Sequence, residues 1–427
     1  LGVASGGAGL SGSAGNSAAV NINGGSVFLT YPGYVSKNIA GPMVNVTGGH
    51  TGTLTFQTGT LSATNGTGLQ FNNADGTYNF NGSTTLNGNG TVVNIVNGSN
   101  GTFTFGTGAS ISVGNNDVAV TNDGGTAAFS YSGGITKTGN GDAIRVQGGH
   151  ATGLVVFQTG TINVMSGNGL QFDNADSAYN FNGTTMLNGG DAAVDIINGS
   201  SGNFTFSSSS SVTNPSGTAF RVDGGNGTIT YNGSLSKTST GGRLIDLMNR
   251  NGGSVSFTGA LTSSGAGATG ILVQNNSSGS PTFTFSGATK TLSTSSNAAV
   301  TLSNNTTSTI NFSNGGLDID TTSGAGFSAT GGGTVTVTTG ANPNTIDSTT
   351  GTALNVANTT IGAGGLTFRS ISSNGATNGI VLNNTGASGG LTVTGNGGTC
   401  SSVATCTGGT IQSATTGISL TNTRNLS

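Results

Sequence analysis

The sequence predicts an all-β protein: a single-stranded right-handed parallel β-helix, a solenoid of three short strands per coil and about 16 coils. Three observations predict it. An aromatic column runs Tyr31, Phe56, Phe80, Phe105, Tyr131, Phe157, Phe181, Phe206, Tyr231 and Phe257 at steps of 24 to 26 residues, then reaches Phe285 and Phe312. Val337, Phe368 and Val393 continue it more loosely. Apolar–any–apolar triplets repeat in step with it. The composition, 80 Gly among 427 residues with only 5% charged, suits short strands and frequent turns rather than helices. One aromatic per winding is what a chain needs when each coil returns the same position to the same place.

The elements follow in order within each coil. The first strand is the triplet: Val20-Asn21-Ile22, Val44-Asn45-Val46, Leu69-Gln70-Phe71, Val93-Asn94-Ile95, Val118-Ala119-Val120 and Ile144-Arg145-Val146. It continues at Leu170-Gln171-Phe172, Val194-Asp195-Ile196, Phe220-Arg221-Val222 and Ile245-Asp246-Leu247, with looser copies near Ile271, Val300, Phe327, Leu354, Ile380 and Ile418. Period-two alternation turns the outer two residues inward and leaves the middle one in solvent. After a Gly/Asn turn comes the aromatic strand, as in Phe103-Thr104-Phe105. A third strand follows, as in Ile111-Ser112-Val113.

Residues 1–427 read as one continuous solenoid, regular over 20–270 and more degenerate over 271–427. A hundred-residue super-repeat brings Gly68–Asp75 back as Gly169–Asp176, and Lys37 back as Lys137 and Lys237. His50 and His150 recur with it and read as turn residues. An inserted loop near 394–412 holds the two cysteines. Cys400 and Cys406 are read as a disulfide pinning that loop, which points to an oxidising, extracytoplasmic setting. The chain begins at Leu1 without a start methionine or leader, and reads as a piece of something longer.

A net charge of −3 leaves no basic stripe for nucleic acid, and no apolar run approaches the ~18 residues of a membrane span. All thirteen acids are Asp. Outward on the first strand, Arg145, Gln171, Asp195, Arg221 and Asp246 occupy consecutive coils. Asp195 and Asp246 with Arg221 between them are the alternative catalytic set, because paired carboxylates ~6.5–9.5 Å apart can hydrolyse a glycosidic bond. The preferred reading is a charge ladder along the surface, with no catalytic residue and no cofactor. Asp173 with Asp176, and Asp318 with Asp320, are calcium candidates, since close carboxylates and turn carbonyls supply hard oxygen ligands. Elsewhere the outward residues form amide and threonine ladders: Asn21, Asn45, Gln70 and Asn94 on one face, Thr30, Thr55, Thr104, Thr205 and Thr230 on another.

Stretches such as Gly389-Gly390-Leu391-Thr392-Val393-Thr394-Gly395 and Gly408-Gly409-Thr410-Ile411-Gln412 resemble large bacterial secreted proteins built from right-handed β-helix repeats. So does Gly417-Ile418-Ser419-Leu420-Thr421-Asn422-Thr423. The resemblance implies an extracellular or cell-surface location, and adhesin or autotransporter-passenger-like roles. Pectate-lyase-like enzymes share that fold, but their catalytic motifs match no positions here. The function expected is a structural or adhesive segment of a long surface solenoid that could self-assemble into fibres. A polysaccharide-cleaving enzyme, lyase or glycoside hydrolase, is the alternative. Its partners would be further copies stacked end to end, or a carbohydrate or cell-surface ligand.

Overall fold

The computed structural model describes residues 9–11, 15–115, 117–238, 241–265 and 267–427. Strands make up nearly all of the regular structure, and a 3₁₀ turn at Val403–Thr405 is the one helical element among them. Contacts divide the chain into two units, Leu1–Val212 and Thr213–Ser427.

Each unit is a parallel β-solenoid of the right-handed type with three sheets. In the first unit, sheet 1 runs from Val20–Asn23 to Ala193–Ile197, sheet 2 from Leu29–Tyr31 to Asn203–Phe206, and sheet 3 from Leu10–Ser11 to Thr184–Leu187. In the second, sheet 1 runs from Phe220–Asp223 to Thr416–Thr421, sheet 2 from Thr228–Tyr231 to Leu391–Val393, and sheet 3 from Ser234–Lys237 to Ile411–Gln412. Every third strand is a neighbour, and all pairings are parallel. Among the described residues of the two units, sheets 1 and 3 each hold 16 strands and sheet 2 holds 15, in line with the roughly 16 coils expected. The last coil gives strands to sheets 1 and 3 only.

Like stacks on like. Val44 pairs with Val20 and Leu69, and Val46 with Ile22 and Phe71. The aromatic strand is equally regular: Phe105 pairs with Phe80 and Tyr131. Its rings lie 4.5 Å from Phe80 and 5.5 Å from Tyr131, centroid to centroid. The stack continues through Phe157, Phe181 and Phe206 at 5.0 and 4.8 Å, and in the second unit through Phe257, Phe285 and Phe312 at 5.6 and 4.7 Å.

Two corner positions explain much of the glycine and asparagine. Each sheet-1 strand is followed by a residue with positive φ, and it is always Gly or Asn: Gly24, Gly48, Asn73 and Asn97 open the series, and Asn358, Asn384 and Asn422 close it. Only those residue types enter that region at little cost. At the corner after sheet 2, backbones nest so closely that a Cβ on Gly59, Gly160 or Gly259 would collide with the carbonyl of Gly33, Gly133 or Gly233 one coil away.

The structure corrects the sequence reading in three places. The strand at Val118–Val120 is shifted by two residues: Val120 pairs with Val93 and Ile144, so Asn122 takes the second inward site between Ile95 and Val146. The aromatic column slips where the strand Thr360–Phe368 carries a bulge, and Val337 pairs with Leu366 instead of Phe368. His50 and His150 do sit in turns, but both are wholly buried inside the coil. In the stretch between the strands Leu391–Val393 and Ile411–Gln412, Cys400 is bonded to Cys406 across the 3₁₀ turn.

Candidate functional site

Outward side chains on sheet 1 spend their polar groups on the next coil. Asn45 Nδ2 donates to Asn21 Oδ1 at 2.8 Å, and Asn94 Nδ2 to Gln70 Oε1 at 2.9 Å. Further along, Arg145 Nε donates to Asp142 Oδ2 at 2.5 Å, a contact within one strand. Gln171 Nε2 donates to Asp195 Oδ2 at 2.9 Å. Asp195 therefore lies in the first unit, held by an amide.

Arg221 and Asp246 lie in the second unit and are register partners on adjacent strands. The guanidinium of Arg221 turns to Asp223, Nη2 donating to Oδ2 at 3.0 Å, and Asn249 Nδ2 donates to the other oxygen of Asp223 at 2.8 Å. Asp246 Oδ1 is buried without a hydrogen-bond partner, beneath a face where the outward Leu272 of the next coil is only 7% exposed. Burial pushes the Asp246 carboxyl above the usual carboxylate range; Arg243 and Arg221 pull it back, and Asp223 adds to the rise. Of the three residues in the alternative catalytic set, Arg221 and Asp246 are brought side by side.

The calcium candidates serve turns and strands. Asp173 Oδ1 accepts from Asn198 Nδ2 at 2.8 Å and Asp176 Oδ1 from the Ser201 amide at 2.8 Å, each reaching one coil on. Asp318 and Asp320 both face outward on the sheet-3 strand Leu317–Thr321. Asp318 Oδ1 accepts from Thr345 Oγ1 at 2.5 Å, and Asp320 Oδ2 from Ser293 Oγ at 3.1 Å. Asp347 is the register partner of Asp320. Burial and then the charges of Asp318 and Asp347 raise the Asp320 carboxyl, against the hydrogen bond from Ser293. Among the described residues, no three His, Cys, Asp or Glu side chains gather as metal ligands.

Beside Asp318 the surface is concave. A cleft of about 230 Å³ is lined by Thr291, Asp318 and Thr345, with Asn342, Pro343 and Arg369 as its far wall. That wall is shared: on its other side a second cleft of about 220 Å³ has Asn344, Thr367 and Thr394 among its lining. Its shape is fixed from beneath. Asn344 is buried, its Nδ2 donating to Thr338 O at 3.0 Å and Thr367 O at 2.9 Å while its Oδ1 accepts the Leu317 amide at 3.0 Å. Asn342 Nδ2 ties the ridge to Ala288 O at 2.8 Å. Sequence reasoning found Asp318 but missed Arg369 and the ridge. The signal available was the Ala-Asn-Pro-Asn run at 341–344, an irregular turn in an otherwise Gly/Thr-rich stretch.

Sequence reasoning also missed that Lys37, Lys137, Lys237 and Lys290 are completely buried. Each ammonium is caged by turn carbonyls. Lys137 Nζ donates to the carbonyls of Asn115 at 2.9 Å, Gly139 at 2.7 Å and Asn140 at 2.5 Å; Lys290 Nζ donates to those of Gly287 at 2.5 Å, Ser313 at 3.1 Å and Gly315 at 2.6 Å. Parity could have revealed three of them: Lys37 is two residues after the inward Val35, on the same side of its strand. His50 and His150 work similarly, bridging a tyrosine hydroxyl (Tyr78, Tyr179) and a carbonyl (Val27, Ala127). One super-repeat later Arg250 fills that position and donates to the carbonyls of Gly224, Gly227 and Gly252.

No protein-family model matches the chain, and no curated protein or solved structure matches it.

Proposed function

We propose that this chain is a structural and adhesive β-solenoid segment working outside the cell, holding repeated polar faces against a carbohydrate or cell surface. The observation that carries the reading is where the outward polar groups go: amides and acids on sheet 1 bond to their equivalents one coil away, as Asn45 does to Asn21 and Gln171 to Asp195. Such ladders stiffen a stack and leave a mostly neutral exterior. The disulfide between Cys400 and Cys406 supports an oxidising compartment. Self-assembly into fibres belongs to the same reading.

Asp246 favours a second reading, a polysaccharide-cleaving enzyme of the β-helix type, because a half-buried carboxyl raised beside Arg221 has the character of a general acid. One assay separates the two. The protein is pelleted with insoluble polysaccharides and with whole cells while released reducing sugar is measured. Pelleting without release is the expected result. Release that disappears in Asp246→Asn would establish the enzyme, and failure to pellet with any surface would remove the adhesive role.

A further inference from the structure

Resting on the adhesive reading, we propose that the paired clefts astride the Asn342–Pro343 ridge are a two-ring subsite for a neutral polysaccharide, one sugar ring on each side of Arg369.

Size narrows the ligand first. Each cleft, about 230 and about 220 Å³, falls below the ~300 Å³ at which pockets for drug-sized molecules begin, and the two share one wall. A ligand built from two small rigid bodies joined by a short link fits that shape better than one large body. The chemistry of the lining narrows the class. Asp318 accepts, Arg369 donates, and Thr291, Thr345, Thr367 and Thr394 do both, which is the pattern that vicinal hydroxyls require. Pro343 adds an apolar surface on the ridge for the C–H side of a ring.

Charge excludes the neighbouring classes. An anionic chain would meet Asp318 in the first cleft. A cationic ligand would meet Arg369, which is exposed and lines both clefts. One carboxylate against one guanidinium leaves a neutral site. An extended peptide would add to a sheet edge, but these clefts open on strands already paired on both sides: Leu317–Thr321 lies between Lys290–Ser295 and Thr345–Ser348. The site is also pre-formed, since buried Asn344 fixes the turn beneath the ridge before any ligand arrives.

The test uses the full chain and soluble oligosaccharides of one to four rings. Neutral gluco-, xylo-, manno- and chito-series are compared with oligogalacturonates, and binding is followed by calorimetry and saturation-transfer NMR. At least one neutral series should bind, with a clear gain from one ring to two and little beyond. Asp318→Asn and Arg369→Gln should each weaken it about tenfold or more, as expected for a lost hydrogen bond to a charged group. Both side chains reach the surface, and circular dichroism checks that the variants fold; Asp173→Asn, in the first unit, should bind like the wild type. Monosaccharides binding as well as disaccharides, a preference for oligogalacturonates, or unchanged affinity in both variants would each overturn the subsite. If no soluble sugar binds while the protein still pellets with surfaces, the subsite falls and the adhesive reading stands.

Discussion

Asn122 sets the sharpest test at the scale of a single residue. Its side chain is 3% exposed, stacked between Ile95 and Val146, and neither its amide nitrogen nor its oxygen has a hydrogen-bond partner. A buried amide left in that condition costs about 1–3 kcal/mol. Asn122→Val, which restores the apolar column, should raise stability by roughly that amount in urea unfolding, with the slope of the transition unchanged. The caged lysines make the opposite case, because their ammonium groups are satisfied although desolvated. Removing the Lys137 ammonium by Lys137→Met should cost about 3 kcal/mol, since three or more turn carbonyls then lose a charged donor. Lys290 adds a pH signature. Burial lowers its ammonium from 10.5 to about 8, so between those values the unfolded chain keeps a proton that the folded chain has released. Its contribution to stability therefore grows as pH rises through that window and is lost as pH falls through 8. Calorimetry at pH 7.5 and 9.5 should show that gain in the wild type, and its loss in Lys290→Met. Equal pH dependence in both proteins would contradict the lowering of the Lys290 ammonium by burial.

At the level of the strand, the aromatic column carries the packing. Phe105 touches ring neighbours on both sides and a third, Phe129, at 5.5 Å. Truncation to alanine removes the buried area together with the stacking, so Phe105→Ala should cost about 3–5 kcal/mol by chemical denaturation. A cost below ~1 kcal/mol would mean the rings pack loosely. Most of this layer was legible in the sequence, because a parallel stack repeats its inward pattern and any column of equal spacing exposes it. Tyr31 through Phe312 and the triplets from Val20 to Ile418 needed nothing but counting. Legibility failed where apolar character and register disagree. Val118-Ala119-Val120 is the more hydrophobic triplet, but the corner requires Gly124 at positive φ, and that places Asn122 inside. The bulge at Thr360–Phe368 was hidden for a similar reason: glycines 362, 364 and 365 carry no side-chain pattern to count.

For the molecule as a whole, each unit is a stack whose coils contact their neighbours and little else, so stability within it should be a sum of local terms. The candidate site was only partly readable at this scale. Asp318 and Asp320 stood out as close carboxylates, but Arg369 comes from the corner between the strands Thr360–Phe368 and Ser370–Asn374, two coils further on, and nothing in the periodic pattern singles it out. The clefts arise where the corner run Ala341–Asn344 departs from the regular turn, and departures from a repeat are what a repeat cannot forecast. Ladders, ring stacks and caged lysines all require coils that lie in register. Spin labels at Thr30→Cys and Thr205→Cys, both outward on sheet 2 of the first unit and seven coils apart, measure that directly. Electron–electron resonance should give one narrow distance near 34 Å, seven spacings of ~4.8 Å. A broad distribution, or a distance well beyond ~50 Å, would contradict the stacked-coil architecture.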